Sequence, residues 1–394
     1  MAALPPFELI LGRLPSLREQ VAGHVHTLLA ELAMTSEIPA PTFGEQQRAE
    51  FLQERLSQFG LTDVVQDDLG NVAAIHPGTD PGAGSDGAIL LAAHMDTLFA
   101  DGTEHVTEVQ PDRVVGASVA DDSLGLATLA TLPHLLERLR LTLRSDLLLV
   151  ATTRSLGRGN LAGLRFFLDN ARLPIRAAVC VEGAPIGLLS HTSIGMIRGD
   201  VICRIPEQHD WTRFGEASAI VTVNEVINRV LALPMPRRPR STVVLGEVRG
   251  GTAAHTVATR ATLGFEARSE SGHVVASLLH SIGRIAHLVA AQRGEHVDLE
   301  LVARCHPGGI GLDHPLVDRS LRIMSRLGLS PRMTPSTAEL AALIERRIPA
   351  ITIGITESAH PGEANETVFI EPMATGLTQL LGILLAIDGG YCAD

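Results

Sequence analysis

Lysine is absent from this chain; all 32 basic residues are arginine. Schiff-base chemistry through a lysine amine is therefore excluded. The 44 acidic residues bring the formal net charge to -12. That argues against broad nucleic-acid binding, in which cationic side chains replace phosphate counterions. Aromatic residues are only 3%, with one tryptophan and one tyrosine, too few for a platform on which bases or sugars stack. The four cysteines, Cys180, Cys203, Cys305 and Cys392, are far apart and show no CxxC spacing. They fit free thiols of a reducing compartment, and neither a zinc knuckle nor a disulfide frame. The amino terminus, MAALPPFELILGR, lacks a basic segment ahead of an apolar one, so no signal peptide is read there. No apolar run reaches about 18 residues, so no membrane span is expected. The expected location is the cytoplasm.

What is present is a globular composition, 45% hydrophobic and 19% charged, over 394 residues. That length exceeds one ordinary core and predicts two domains. Leu17–Leu32 and Gln46–Phe59 have helical periodicity, and Asp68–Asn71 reads as a turn between two short strands. Leu124–Arg138 predicts a helix with Leu126, Leu129, Leu132 and Leu136 on one face. Apolar strands are expected at Leu147–Ala151, Ala177–Val181 and Ala350–Ile355. Strand–helix alternation of this kind is α/β. From Ile194 the texture changes to a β-α-β-β-α-β order, which fits a compact ferredoxin-like α+β insert. The expected division is a discontinuous α/β domain, residues 1–193 and 303–394, and an inserted domain, residues 194–302.

The stretch that organises the chain is Ala88–Thr97, AILLAAHMDT. An apolar run stops at His94, and Asp96 follows two positions later. The carboxyl end of a buried strand is where α/β folds place their sites. There His94 suits a metal ligand and Asp96 a partner for its other ring nitrogen. Asp121, in ADDSLG, and Glu182, in VCVEGAP, lie at comparable ends. Taken singly, each also fits a cap or a loop acid. Three together, mixing imidazole and carboxylate, suit a divalent metal.

At these residues the chain resembles the co-catalytic zinc aminoacylase/carboxypeptidase family, with its tripeptidase, glutamate carboxypeptidase and acetylornithine deacetylase types, from about Ser36 to the end. The resemblance implies that His94 of the H-M-D motif ligates metal with Asp96 in support. It implies that Asp121 of VGASVADD bridges two metals and that Glu182 completes the site. IPEQHDWTRFG resembles the family's G-G-H-S-W-x-x-F-G, which makes His209 an imidazole sent to a partner's active site, so a homodimer is implied. VRGGTAAHTVA resembles G-G-T-x-x-N-T with His255 in place of the asparagine. Arg268 takes the position that holds a substrate carboxylate, a task suited to a bidentate guanidinium. PSTAEL and IPAITIGIT resemble the family's closing elements.

The chain departs from the family where catalysis is concentrated. The family's Glu-Glu pair, general base and second-metal ligand, falls on Ser155 and Leu156. The last histidine ligand falls on Gly362, with His360 able to replace it only through a two-residue insertion. The expectation is therefore one divalent metal per chain, zinc by resemblance, with Arg154 or Arg158 filling the space of the second cation. Asp96, Ser155 and His209 are the residues expected nearest the chemistry, and Asp122, Glu182 or His209 would have to serve as base. Two functions follow. One is a metal-dependent hydrolase, impaired or altered, acting on the amide bond of a small peptide or N-acyl amino acid. The other is an inactive homologue that binds a peptide or amino-acid-like ligand as a dimer.

Overall fold

The computed structural model describes residues 7–61, 63–80, 87–100, 102–205 and 218–393. They divide into two compact units, one of Met1–Ser193 with Gly309–Asp394 and one of Ile194–Gly308.

The first unit is built on a seven-stranded sheet. Its order is Val65–Gln66, Val72–His76, Leu147–Thr152, Ala88–His94, Ile175–Glu182, Ala350–Gly354 and Leu189–Ser190. The four strands from Leu147–Thr152 to Ala350–Gly354 are parallel. Every residue of Ala88–His94 and of Leu147–Thr152 is buried, as continuous apolar strands covered on both faces must be. The helix Leu124–Arg138 buries more than the expected leucine face: twelve of its residues, from Leu124 to Leu136, are inaccessible. A helix apolar nearly all round lies inside a core and not on its surface.

The single helix expected over Leu17–Leu32 is two helices, Phe7–Ala22 and Val25–Ser36. Gly23 ends the first, its N–H donating to Gln20 O at 3.1 Å while His24 N donates to Val21 O at 2.8 Å. Glycine is about 1 kcal/mol worse than alanine inside a helix, and tightened bonds of this type close a last turn.

The second unit is a four-stranded antiparallel sheet in the order Ser241–Gly250, Arg260–Ser269, Gly195–Arg204 and His296–Cys305. Helices Ala219–Leu231 and Gly272–Arg293 complete the β-α-β-β-α-β sequence. Val223, Val226, Ile282 and Val289 pack with Val201, Leu263 and Phe265 into its core. The strand His296–Cys305 keeps pairing as far as Cys305 with Met196, which carries this unit past the boundary expected at Val302.

The helix Gly272–Arg293 has 22 residues and a mean hydropathy of 1.5 over 18 of them, although His273, His280, Arg284 and His287 interrupt its apolar residues. By length and composition it could cross a membrane. Its apolar side, Val275, Leu278, Ile282, Ile285, Ala286 and Val289, is buried in this unit.

Candidate metal centre

Three adjacent parallel strands bring His94, Thr152 and Glu182 to one edge of the sheet. His94 is in register with Thr152, and Ala92 with Cys180, two residues short of His94 and Glu182 on their strands. All three acquire their positions because an apolar strand stops at the same level in each case.

His94 is 3% exposed. Its Nδ1 lies 2.9 Å from the main-chain oxygen of Asp96, an atom that can only accept. Nδ1 therefore carries the hydrogen, and Nε2 is the nitrogen free to ligate. The Asp96 carboxylate, expected to hold the ring, is the more distant partner at 3.5 Å. It accepts instead from Thr42 Oγ1 at 2.8 Å, Ser155 N at 3.1 Å and Leu156 N at 2.8 Å. Asp96 thus fixes the loop after the neighbouring strand as well as the histidine.

Asp121 Oδ1 is 2.9 Å from His94 Nε2. Yet among the described residues the group whose ligand-capable atoms all lie within 4.8 Å of one another is completed by Asp122, with His94 and Glu182. The sequence pointed to Asp121 in that place. Asp122 is already committed: Oδ1 accepts from Gly125 N at 3.1 Å and Gly183 N at 3.0 Å, and Oδ2 from His94 N at 3.2 Å. It pins three segments together, whereas Asp121 faces the ligating nitrogen itself. Side chains are excluded at both glycines: a Cβ on Gly125 would lie 2.2 Å from Asp122 Oδ1, and one on Gly183 2.2 Å from Ala120 O.

Glu366, the acid four residues after the expected histidine position at Gly362, holds the Asp121 backbone. Its Oε2 accepts from Ala120 N at 2.9 Å and Asp121 N at 3.3 Å, and its Oε1 from Gly362 N at 3.2 Å. Glu366 is 1% exposed, and burial pushes its carboxyl up despite those N–H groups.

The site concentrates negative charge. Burial pushes Glu182 up to about 8, with Asp121 and Glu339 adding to the effect and His94 opposing it. Burial, then Glu182, holds Asp122 well above the carboxylate range. Burial alone would depress the His94 imidazole, but its bonds to Asp121 and Asp96 outweigh that and hold it well above its usual value. Carboxylates gathered around one imidazole form a donor set that a divalent cation would satisfy in place of the protons they now share. His94, Asp121 and Glu182 could hold it, with Asp122 behind them.

Where the family's Glu-Glu pair would stand, Ser155 and Leu156 give no carboxylate. One is nevertheless present: Ser155 Oγ donates to Glu339 Oε1. Glu339 lies in PSTAEL, whose acid the sequence offers as an ordinary residue of a first helical turn; only the fold brings it beside Ser155. His360 sits in an exposed turn, its Nδ1 3.9 Å from Glu363 Oε2, and does not belong to the tight group around His94. The Arg154 guanidinium stacks 5.6 Å from the Phe43 ring centroid. The buried cation is Arg48, with no exposed surface.

Arg268 and His255 lie in the second unit, both exposed. Arg268 pairs with Glu266 and lines an open cavity of about 560 Å³ with Arg237 and Arg240. His209 lies outside the described residues.

Residues 90–386 match the profile of peptidase family M20/M25/M40. The chain belongs to that family. Solved structures of the same fold include a tripeptidase of Staphylococcus aureus, at 19% identity and TM-score 0.72, covering 92% of this chain and 98% of that one. A di-peptidase of Saccharomyces cerevisiae matches at 13% identity and TM-score 0.78, covering 95% and 98%. A dinuclear metal-binding peptidase of Bacillus subtilis matches at 14% identity and TM-score 0.62, covering 92% and 98%. No curated protein matched the chain. This member of peptidase family M20/M25/M40 therefore has the fold of metal-dependent peptide hydrolases and a candidate metal site.

Proposed function

We propose that the chain hydrolyses the amide bond of a small peptide or N-acyl amino acid at a single divalent metal, zinc by family resemblance, held by His94, Asp121 and Glu182. The observation that carries this reading is the 2.9 Å approach of Asp121 to His94 Nε2, with Glu182 beside them and Nδ1 already committed. A bound ion would polarise the amide carbonyl and acidify its water. The chain's own residues do the rest. Asp96 holds His94 and the Ser155–Leu156 loop in one frame, and Glu366 fixes the backbone that presents Asp121. Arg268 is the candidate for a substrate carboxylate, with His255 in the preceding turn.

The missing second-metal ligands at Leu156 and Gly362 support one ion per chain. A homodimer is proposed through the second unit. Its edge strand Ser241–Gly250 exposes Val244 at 50% and Val248 at 54%, and an unpaired edge of that kind is a template for a second strand. His209 would then act across the interface. Four free cysteines support a reducing compartment, the cytoplasm. The loss of the Glu-Glu pair favours a second reading, in which the same site binds a peptide-like ligand without turnover.

Metal content of the purified protein and amine release from a panel of dipeptides and N-acyl amino acids separate the two. The hydrolase reading expects about one metal per chain, and turnover that His94→Ala abolishes together with metal binding. Ligand binding without turnover supports the second reading, and a chain that takes up no metal overturns the first.

A further inference from the structure

We propose that Glu339 supplies the proton-accepting carboxylate that residue 155 lacks, presented by the first turn of the helix Glu339–Glu345. The inference deepens the hydrolase reading and rests on it. Glu339 is 2% exposed. Its hydrogen bonds come from Ser155 Oγ and from Thr152 Oγ1, the latter at 3.1 Å, and both fall on Oε1. Oε2 is left uncommitted among the described residues. The two hydroxyls stand 3.2 Å apart, so Thr152 and Ser155 grip one carboxylate oxygen and leave the other free.

The position is the relevant one. Thr152 is in register with His94, and the Glu339 charge is felt at His94, Asp122 and Glu182 alike. A structural role does not account for the charge. A glutamine would accept the same two hydrogen bonds through its amide oxygen, without adding another carboxyl group near Asp122 and Glu182. A carboxylate fits if its free oxygen has a proton to take.

The chemistry balances. One O–H bond of water breaks, the proton passes to Glu339 Oε2, and the electron pair of that bond forms the new bond to the amide carbon. The C=O π pair moves onto the carbonyl oxygen as it does so, to re-form the double bond when the C–N bond breaks. When the C–N bond breaks, the proton passes to the departing nitrogen, which leaves a carboxylic acid and an amine. Ser155 and Thr152 are positioning residues in this scheme.

The test compares the full-length, zinc-loaded wild type with Glu339→Gln, with Glu339→Ala and with Glu339→Ala/Ser155→Glu, which returns the carboxylate to residue 155. Three quantities are measured: zinc affinity by calorimetry, the Kd of a phosphinate dipeptide analogue, and turnover. Glu339→Gln should keep zinc affinity within about threefold, weaken the phosphinate at least tenfold, and lower kcat by about 10²–10⁴-fold. The double variant should recover at least tenfold over Glu339→Ala alone. Unchanged phosphinate binding, or zinc affinity lost in Glu339→Gln, overturns the assignment. If the wild type turns over no substrate, the phosphinate arm still decides on Glu339, while the hydrolase reading falls separately. Unaltered turnover in Glu339→Gln overturns Glu339 and leaves the hydrolase standing.

Discussion

Asn71 holds the loop that follows the strand Leu147–Thr152 from behind. Its amide nitrogen donates to Asp67 Oδ2 at 2.6 Å and Gly163 O at 2.9 Å, and its amide oxygen accepts from Thr153 N at 2.9 Å. The residue has no exposed surface, so truncation leaves buried groups without partners. Asn71→Ala should destabilise the fold by about 2–3 kcal/mol, measured as a lower urea midpoint. His76 carries a pH dependence. Burial lowers its imidazole from the usual 6.5, and Nδ1 has no hydrogen-bond partner among the described residues. As pH falls the unfolded chain takes the proton first, so stability is full above 6.5 and is lost as pH drops through the lower folded value. His76→Gln should narrow the gap in Tm between pH 8 and pH 5. At this scale the sequence displayed the strand-end residues well, because His94 and Glu182 each close an apolar run. Glu339 was illegible: it sits 184 residues from Ser155, and no local pattern encodes such a meeting. Glu366 marked the expected histidine position at Gly362, but not its hold on Ala120, 246 residues away.

The helix Gln46–Gln58 shows how much a correctly expected element can hide. Its periodicity was plain, but Arg48 reads as part of a wet face and is instead buried without exposed surface. Its guanidinium donates to Met95 O at 3.0 Å and Ile38 O at 2.6 Å, tying the His94–Asp96 turn to the segment after Val25–Ser36. Burial lowers its pKa to about 10, with Asp122 and Asp96 opposing, so it stays cationic at neutral pH. Arg48→Met removes the counter-charge of two buried carboxylates and should cost about 3–5 kcal/mol, read by chemical denaturation. Arg48→Lys should recover little of it, because a single ammonium lacks the fork that reaches both carbonyls.

Across the whole molecule, the discontinuous plan was legible because hydrophobic texture switches near Ile194, from continuous buried runs to alternating strands. Where the insert ends was less so, since the strand His296–Cys305 is a run of mostly exposed and half-buried residues up to the connection. The two units have separate cores, one containing Leu14 and Leu380 and one containing Phe265 and Ile282. Calorimetry should therefore resolve two transitions. Leu14→Ala should move one and Ile282→Ala the other, each by about 2–5 kcal/mol; a single transition shifted by both would contradict this.

The cysteines divide evenly: Cys180 and Cys392 belong to the first unit, Cys203 and Cys305 to the second, and all four are buried free thiols. Burial, first among causes, pushes Cys203 and Cys392 up to about 12 and Cys180 well above its usual value. Native thiols of that kind are nearly inert to alkylation, so each becomes reactive only when its surroundings open. The chain thus carries two built-in clocks. Timed alkylation followed by peptide mass analysis would record the opening rate of each unit separately, in the unmodified protein and with no probe introduced.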